Sequence, residues 1–158
     1  MRYIIIIFVT TCVFAACSED KFTTYDSTRY LYFAKGITAD SIPESFFFYP
    51  DETTHDIRLE LLFAGGPVTE NMTYRIEVDE SLTTAVKGTD FDFESERIWQ
   101  AGEERDTLVL KLIKTPKLDN QMFRVVLKVT PTTNFEVGPT KNARSQRVIF
   151  TSKAIAPA

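Results

Sequence analysis

The sequence predicts an all-β protein, an immunoglobulin-like antiparallel β-sandwich of seven to nine strands over about residues 30–152. Three observations lead to this fold class. Apolar side chains recur at every second residue and not with helical spacing, Gly and Pro separate the runs, and each run has one apolar and one polar face. Two sheets packed face to face bury such one-sided strands, which favours a sandwich, with a closed barrel as the alternative.

The alternation is clearest in five segments along the chain. Their inward positions run over Ile57–Phe63, Tyr74–Val78, Leu108–Leu112, Phe123–Val129 and Val148–Phe150. Two earlier aromatic runs, Tyr30–Phe33 and Phe46–Tyr49, also predict strands, and the three consecutive Phe residues at 46–48 predict burial on both faces. Turns are predicted where Gly interrupts the pattern, at Gly65-Gly66-Pro67 and at Ala101-Gly102-Glu103.

Length and charge restrict the class of protein. A chain of 158 residues supports one domain with a tail, and 18 basic against 22 acidic residues give a net charge of −4. This acidity argues against a protein that binds nucleic acid by neutralising phosphates, so no nucleic-acid partner is expected. One His and two Cys cannot supply the four ligands of a Cys/His zinc site.

The N-terminus has the pattern of a signal peptide over residues 1–16. Arg2 precedes an apolar stretch that ends in the small pair Ala15-Ala16, and this stretch is shorter than the roughly 20 apolar residues of a membrane span. Cys17 follows directly, and the arrangement resembles the lipobox of bacterial lipoproteins. The resemblance implies cleavage before Cys17 and a lipid on its sulfur, which anchors the mature chain in the membrane. An ordinary secretory signal followed by an incidental cysteine is the alternative.

Residues 17–29 are expected to form the lipidated Cys and a flexible tether, and residues 153–158 a C-terminal tail. Ser18-Glu19-Asp20 resembles the surface-export signal of Bacteroidota lipoproteins, which implies the outer membrane, facing the cell exterior; a generic polar tether is the alternative. Residues 18–29, fully extended, span about 40 Å. Removal of Cys12 with the signal peptide and lipidation of Cys17 leave no pair for a disulfide.

A set of motifs within residues 83–138 resembles the Calx-beta repeat. The motifs, in order, are an opening "A-x-x-G-x-D-[YF]" at Ala85–Phe91, a Gly-Glu turn at Gly102-Glu103, two strands at 107–114 and 123–130, and a closing "N-x-x-x-G" at Asn134–Gly138. Together with the lipobox, they resemble a family of Bacteroidota surface lipoproteins with a domain of unknown function, often encoded beside starch-utilisation-system-like transporters. The resemblance implies a non-catalytic accessory or interaction module of an outer-membrane nutrient (glycan) uptake system, with an outer-membrane transporter complex or a polysaccharide as its partner.

Three carboxylates follow one another at alternate residues. Gly88 fits a turn that needs a positive φ, and Asp90, Asp92 and Glu94 are expected on the strand face opposite Phe91. Oxygen ligands in such an array suit Ca²⁺, and the Calx-beta resemblance also implies calcium in some members. The alternative is a solvated strand face with Asp90 capping the turn.

The sequence offers little for catalysis. His55 is the sole histidine and is expected at the surface, there is no Gly-x-Ser-x-Gly elbow, and the mature chain has only a lipidated cysteine. The protein is therefore expected not to be an enzyme. A hydrolase that uses two carboxylates is the third and least favoured function, because no acid lies in an apolar setting that would raise its pKa.

Aromatic residues carry the second function hypothesis, a carbohydrate-binding module. Sugar rings stack on exposed aromatic planes, and Trp99, Tyr32 and Tyr49 are the candidate glycan contacts, with burial in the core as the alternative. Two Asp–Ser–apolar or Asp–Ser–Thr triplets match the O-glycosylation motif described for Bacteroidota, which makes Ser27 and Ser41 candidate acceptors.

Overall fold

A computed structural model describes residues 28–35, 41–133, 135–138 and 144–155. These residues form two five-stranded sheets packed face to face, which confirms the predicted all-β sandwich. No helix in the described ranges is long and apolar enough to cross a membrane.

The described part of the chain contains ten strands and two short 3-10 helices, η1 and η2. Their bounds are β1 Tyr30–Phe33, β2 Ile42–Ser45, η1 Phe46–Phe48, β3 Thr54–Ala64, β4 Met72–Val78, β5 Phe91–Asp92, β6 Glu96–Trp99, β7 Arg105–Ile113, η2 Pro116–Asp119, β8 Phe123–Thr130, β9 Glu136–Val137 and β10 Ser145–Thr151.

The first sheet, sheet A, has the order β5-β7-β3-β1-β9, and the second, sheet B, has the order β2-β10-β8-β4-β6. Most pairs are antiparallel, but β1 pairs in parallel with β9, and β2 pairs in parallel with β10. The consecutive strands β1 and β2 lie in different sheets, β1 in sheet A and β2 in sheet B. The division of this N-terminal segment into two strands, together with the two-residue strands β5 and β9, raises the number of strands to ten, above the predicted seven to nine.

The core consists of the predicted inward rows. On β7, Leu108, Leu110 and Leu112 are buried while Val109 and Lys111 are exposed, as the period of two requires. The same alternation holds on β3 and β4. Buried aromatic side chains fill the space between the sheets, and the largest are Trp99, Tyr74, Phe33, Phe91 and Phe150.

The aromatic run at 46–49 differs from its prediction. It is not a strand, because the Ser45 hydroxyl accepts a hydrogen bond from the Phe47 amide at 3.1 Å and caps η1. The same hydroxyl donates to the Lys153 carbonyl at 2.6 Å, which fixes the turn against the end of β10. A single helical turn directs only Phe46 inward and leaves Phe47 and Phe48 57% and 60% exposed. The prediction that the run is buried on both faces is therefore wrong.

The strand registers define two opposite ends of the sandwich. At the end that we call the tether end, the chain enters at Thr28, β3 ends at Ala64 opposite Tyr30, and β7 begins at Arg105. At the opposite end, which we call the aromatic end, lie η1, η2 and the segment 79–90; β8 begins there, opposite the last residues of β10.

Candidate binding site

A cavity of about 390 Å³ opens at the tether end; we call it the tether-end pocket. Its floor is one cross-strand row on the outer face of sheet A, in which Tyr32 of β1 pairs with Leu62 of β3 and Leu62 pairs with Arg105 of β7. The row points outward because its neighbours along each strand, such as Leu31 and Leu61, point into the core. The floor therefore combines a phenol ring, an aliphatic side chain and a guanidinium group.

Two loops form the walls of the tether-end pocket, at residues 65–68 and 102–104. Gly65 has a φ of 126°, and a Cβ on it would lie 3.0 Å from the Thr28 carbonyl oxygen, so a side chain here would displace the incoming chain. The Arg29 guanidinium donates to the Pro67 carbonyl at 3.2 Å. The Gly102 amide donates to the Val68 carbonyl at 2.8 Å and joins the two walls.

Trp99 lies behind the pocket and does not line it. Its side chain is 1% exposed, its ring centroid is 5.4 Å from that of Phe63, and its indole Nε1 donates to the Glu103 carbonyl at 2.9 Å. The prediction of Trp99 as a glycan contact is wrong, because period two on β6 directs this side chain into the core. Trp99 instead holds the wall that contains Glu103.

The polar groups around the pocket are mainly acceptors. Glu103 and Glu104 are exposed on the 102–104 wall, and Glu60 accepts a hydrogen bond from Arg105 Nη1 at 2.8 Å. Arg105 is thus already paired, and the two wall carboxylates leave the site with an excess of negative charge. Sequence reasoning named only Tyr32 among these residues; the outward parity of Leu62 and Arg105 was the signal that could have placed them beside it.

The predicted glycan contact Tyr49 lies at the aromatic end, far along the strands from Tyr32. Its ring stacks on His55, with centroids 4.2 Å apart, and His55 Nδ1 is 3.0 Å from Glu52 Oε2. Phe47 and Phe48 directly precede Tyr49 in the sequence, and their rings pack edge to face against each other with centroids 5.5 Å apart. His55 is half-buried by these contacts.

Apolar exposure is concentrated at the aromatic end. Among the described residues, eight large apolar side chains are exposed, and six of them lie at this end. Only Ile98 and Val109 lie elsewhere, on the outer faces of strands. The six are Phe47, Phe48, Tyr49, Leu82, Val86 and Met122.

The three alternating carboxylates are not brought together. Asp90 is buried, and its two oxygens accept hydrogen bonds from the Val86 amide at 2.9 Å and the Thr115 hydroxyl at 3.2 Å. Asp92 and Glu94 are exposed, and Glu94 forms an ion pair with Arg97. Within the described ranges, no group of three or more potential ligands could hold a metal ion. The structure therefore does not bring Asp90, Asp92 and Glu94 together as the calcium site that the sequence suggested.

The turn that Asp90 caps is as the alternative hypothesis predicted. Gly88 has a φ of 81°, its amide donates to the Phe91 carbonyl at 2.7 Å, and the Asp90 amide donates to the Val86 carbonyl at 2.8 Å. Burial of Asp90 is explained by this capping, since its carboxylate accepts from one backbone donor of the turn, the Val86 amide, and from the Thr115 hydroxyl.

An inter-sheet polar cluster joins Tyr74 of β4, Arg97 of β6 and Asp106 of β7. The Tyr74 hydroxyl donates to Asp106 Oδ2 at 2.5 Å, and Arg97 donates to both carboxylate oxygens, at 3.1 and 2.9 Å. Burial and then the neighbouring Asp106 carboxylate raise the pKa of the Tyr74 phenol. Burial acts to raise the pKa of Asp106, but the hydrogen bonds from Arg97 and Tyr74 outweigh it, and the net shift of this pKa is downward. Sequence analysis missed the cluster, although Asp106 falls at an inward position of β7.

The remaining predicted sites lie at or beyond the edges of the described ranges. Ser41, a candidate O-glycosylation acceptor, is half-buried directly before β2. Ser27 and the predicted lipidation site Cys17 lie outside the described residues.

Comparison of the fold with solved structures finds Calx-beta domains and proteins from Bacteroides. The apo form of the Calx CBD1 domain matches with a TM-score of 0.56 and 13% identity, over 78% of this chain and 96% of that chain. A protein of unknown function from Bacteroides ovatus matches with a TM-score of 0.55 and 16% identity, over 76% of this chain and 43% of that chain. The calcium binding domain CBD12 of CALX1.1 matches with a TM-score of 0.51 and 11% identity, over 77% and 44%.

These identities show a shared fold and no more. The chain spans less than half the length of the Bacteroides ovatus protein and of CBD12. The sequence matches no curated protein. The family model described as "Domain of unknown function (DUF4843)" matches residues 25–158, and the chain belongs to that family.

Proposed function

We propose that this protein is a non-catalytic lipoprotein of the outer membrane that faces the cell exterior and acts as an accessory module of a nutrient (glycan) uptake system. The geometry that carries the proposal is the opposition of the two ends of the sandwich. The chain arrives from Cys17 at the tether end, and the exposed apolar side chains lie at the aromatic end. An anchor at Cys17 would therefore present the aromatic end to partners away from the lipid surface.

The aromatic end has the character of a protein-binding surface. Phe47 and Phe48 project from a capped turn that Ser45 fixes to β10, so their rings are held out with little freedom to fold back. Exposed aromatic side chains grouped at one place commonly mark an interaction site. An outer-membrane transporter complex is the partner that this proposal names.

The lipid anchor is tested by metabolic labelling with an alkyne-bearing palmitate in cells that express the full chain. We expect label in the wild type and no label in Cys17→Ser, because the thioether requires the Cys17 sulfur. Cys12→Ser is the matched control and is expected to retain the label, since Cys12 lies in the predicted signal peptide. Label that persists in Cys17→Ser would contradict the anchor, and protease treatment of intact cells would report whether the domain faces outward.

The aromatic end is tested by cross-linking in intact cells followed by mass spectrometry of the linked protein. We expect cross-links to an outer-membrane transporter from the wild type and at least a tenfold loss in Phe47→Ser/Phe48→Ser. The control is Val109→Ser, which removes an exposed apolar side chain from the face of sheet A. The Phe variants are expected to change the free energy of unfolding by no more than about 0.5 kcal/mol, since both rings are exposed. Equal cross-linking by all three proteins would remove the aromatic end from the proposal.

A second candidate function, carbohydrate binding, is favoured by the tether-end pocket. The pocket places the ring of Tyr32 beside carboxylate acceptors in a concave site, whereas the sequence hypothesis required Trp99, Tyr32 and Tyr49 together as exposed contacts. It differs from that hypothesis in its position, because it lies at the end of the sandwich opposite Tyr49.

A further inference from the structure

The tether-end pocket has the volume of a small-molecule site. Its 390 Å³ falls within the range of about 300–1,000 Å³ that such sites commonly have. Its shape is fixed by backbone contacts at two points, the Gly102–Val68 hydrogen bond and the close passage of Thr28 over Gly65. A site whose walls are held in this way loses little conformational entropy when a ligand enters.

We infer that this pocket binds a neutral sugar ring at the end of a glycan, with Tyr32, Leu62 and Glu103 as contacts. The inference deepens the carbohydrate-binding candidate and rests on it. A pyranose ring has an apolar face of C–H groups and a rim of hydroxyl donors. The apolar face matches the floor of Tyr32 and Leu62, and the hydroxyl rim matches the carboxylates of the 102–104 wall.

The charges of the pocket discriminate among ligand classes. Glu103 and Glu104 line the pocket with one cation, Arg105, which is already engaged with Glu60, and a second cation, Arg29, is engaged with the Pro67 carbonyl of the wall. Phosphorylated, sulfated or carboxylated ligands would meet uncompensated negative charge on the wall. A cation would be attracted to the wall carboxylates but would leave the apolar floor of Tyr32 and Leu62 without a partner. A ligand without charge that has an apolar face and donates several hydrogen bonds matches both the floor and the wall.

Trp99 acts on this site as a positioning residue. Its indole N–H holds the Glu103 carbonyl, so the backbone from which the Glu103 carboxylate projects is tied to the core. The pocket therefore depends on the core side chain that the sequence suggested as a direct contact.

The inference is tested by calorimetric titration of the full-length lipidated protein in a detergent that contains no sugar. The probes are neutral oligosaccharides of glucose, mannose, galactose and N-acetylglucosamine, with spermidine and glucose 6-phosphate as the charged arms. We expect at least one neutral oligosaccharide to bind. We expect Glu103→Gln to weaken that binding by about tenfold, the loss of one charge-assisted hydrogen bond, and Tyr32→Ala to weaken it by about tenfold, the loss of the stacking ring. Leu62→Arg, which fills the floor, is expected to abolish it.

The matched control is Tyr49→Ala, which removes an exposed tyrosine ring at the aromatic end and is expected to leave binding unchanged. Each variant is first shown to unfold at the wild-type temperature, so that weaker binding reports the pocket. Failure of every neutral probe, tighter binding of spermidine or glucose 6-phosphate, or binding that survives Leu62→Arg would overturn the inference. Lipid labelling and cross-linking do not involve the pocket, so a negative titration leaves the surface-lipoprotein proposal to those separate measurements.

Discussion

Trp99→Ala is expected to lower the free energy of unfolding by about 3–5 kcal/mol, the cost of removing a large buried aromatic side chain. The indole packs against the rings of Phe63 and Tyr74, at centroid distances of 5.4 and 6.2 Å. Its removal leaves a cavity between the sheets and also leaves the Glu103 carbonyl without its donor. Urea denaturation followed by circular dichroism measures the change.

Trp99→Phe separates the two contributions. The smaller ring keeps part of the packing but cannot donate to Glu103, so the expected loss is about half of that for Ala. If Trp99→Ala lowers the free energy of unfolding by less than about 1 kcal/mol, an effect close to that of a surface substitution, Trp99 lies outside the core. Unfolding midpoints that shift without a change in denaturant slope would confirm that both variants retain a two-state transition.

Asp106→Ala is expected to lower the free energy of unfolding by about 3 kcal/mol, toward the lower end of the cost of breaking a buried ion pair. The carboxylate accepts from Tyr74 and Arg97, and its loss leaves a phenol and a guanidinium between the sheets without their acceptor. The control is Glu94→Ala, which removes the exposed partner of the same Arg97 and is expected to cost at most about 0.5 kcal/mol. Equal effects of the two substitutions would show that the cluster does not link the sheets.

The same cluster predicts how stability depends on pH. Since the pKa of Asp106 is lower in the folded state, the unfolded state binds more protons in acid, and the stabilisation present above about pH 4 is lost as pH falls through the folded pKa. Since the pKa of Tyr74 is raised in the folded state, its contribution is full below about pH 10 and is lost at higher pH. Urea midpoints measured across this range should fall less steeply in acid for Asp106→Ala and less steeply in base for Tyr74→Phe. Slopes equal to those of the wild type would contradict the assignment.

Much of the fold could be predicted because burial on one face imposes a period of two. The rows Leu108–Leu112 and Phe123–Val129 face the core as predicted, and Gly88 has the positive φ that its turn motif required. Hydrophobic alternation is local in sequence, so it can be read without knowledge of strand pairing. The likeness to Calx domains was implied separately, by the resemblance of the motifs in residues 83–138 to the Calx-beta repeat.

The predictions that were wrong or missing concern residues whose surroundings are set by contacts distant in sequence. Composition predicted Phe46–Tyr49 as a strand, but the bond from Ser45 to the Lys153 carbonyl spans 108 positions and was not visible in the run itself. Trp99 was placed on a glycan surface although its neighbours alternate with it, and its partner Phe63 lies on the opposite sheet. The tether-end pocket could not be predicted, because its floor depends on the register of β1, β3 and β7, and the alternation of apolar residues does not fix that register.

The brevity of the outermost strands leaves part of the strand beside them uncovered. The four strands that border the sheets have only two or four residues each, at β5, β9, β2 and β6. Because β5 pairs only with Leu112 and Lys111, the outer edge of β7 from Arg105 to Leu110 has no neighbouring strand in the described part of the chain. Part of this backbone edge is therefore open to pairing with a strand of another chain.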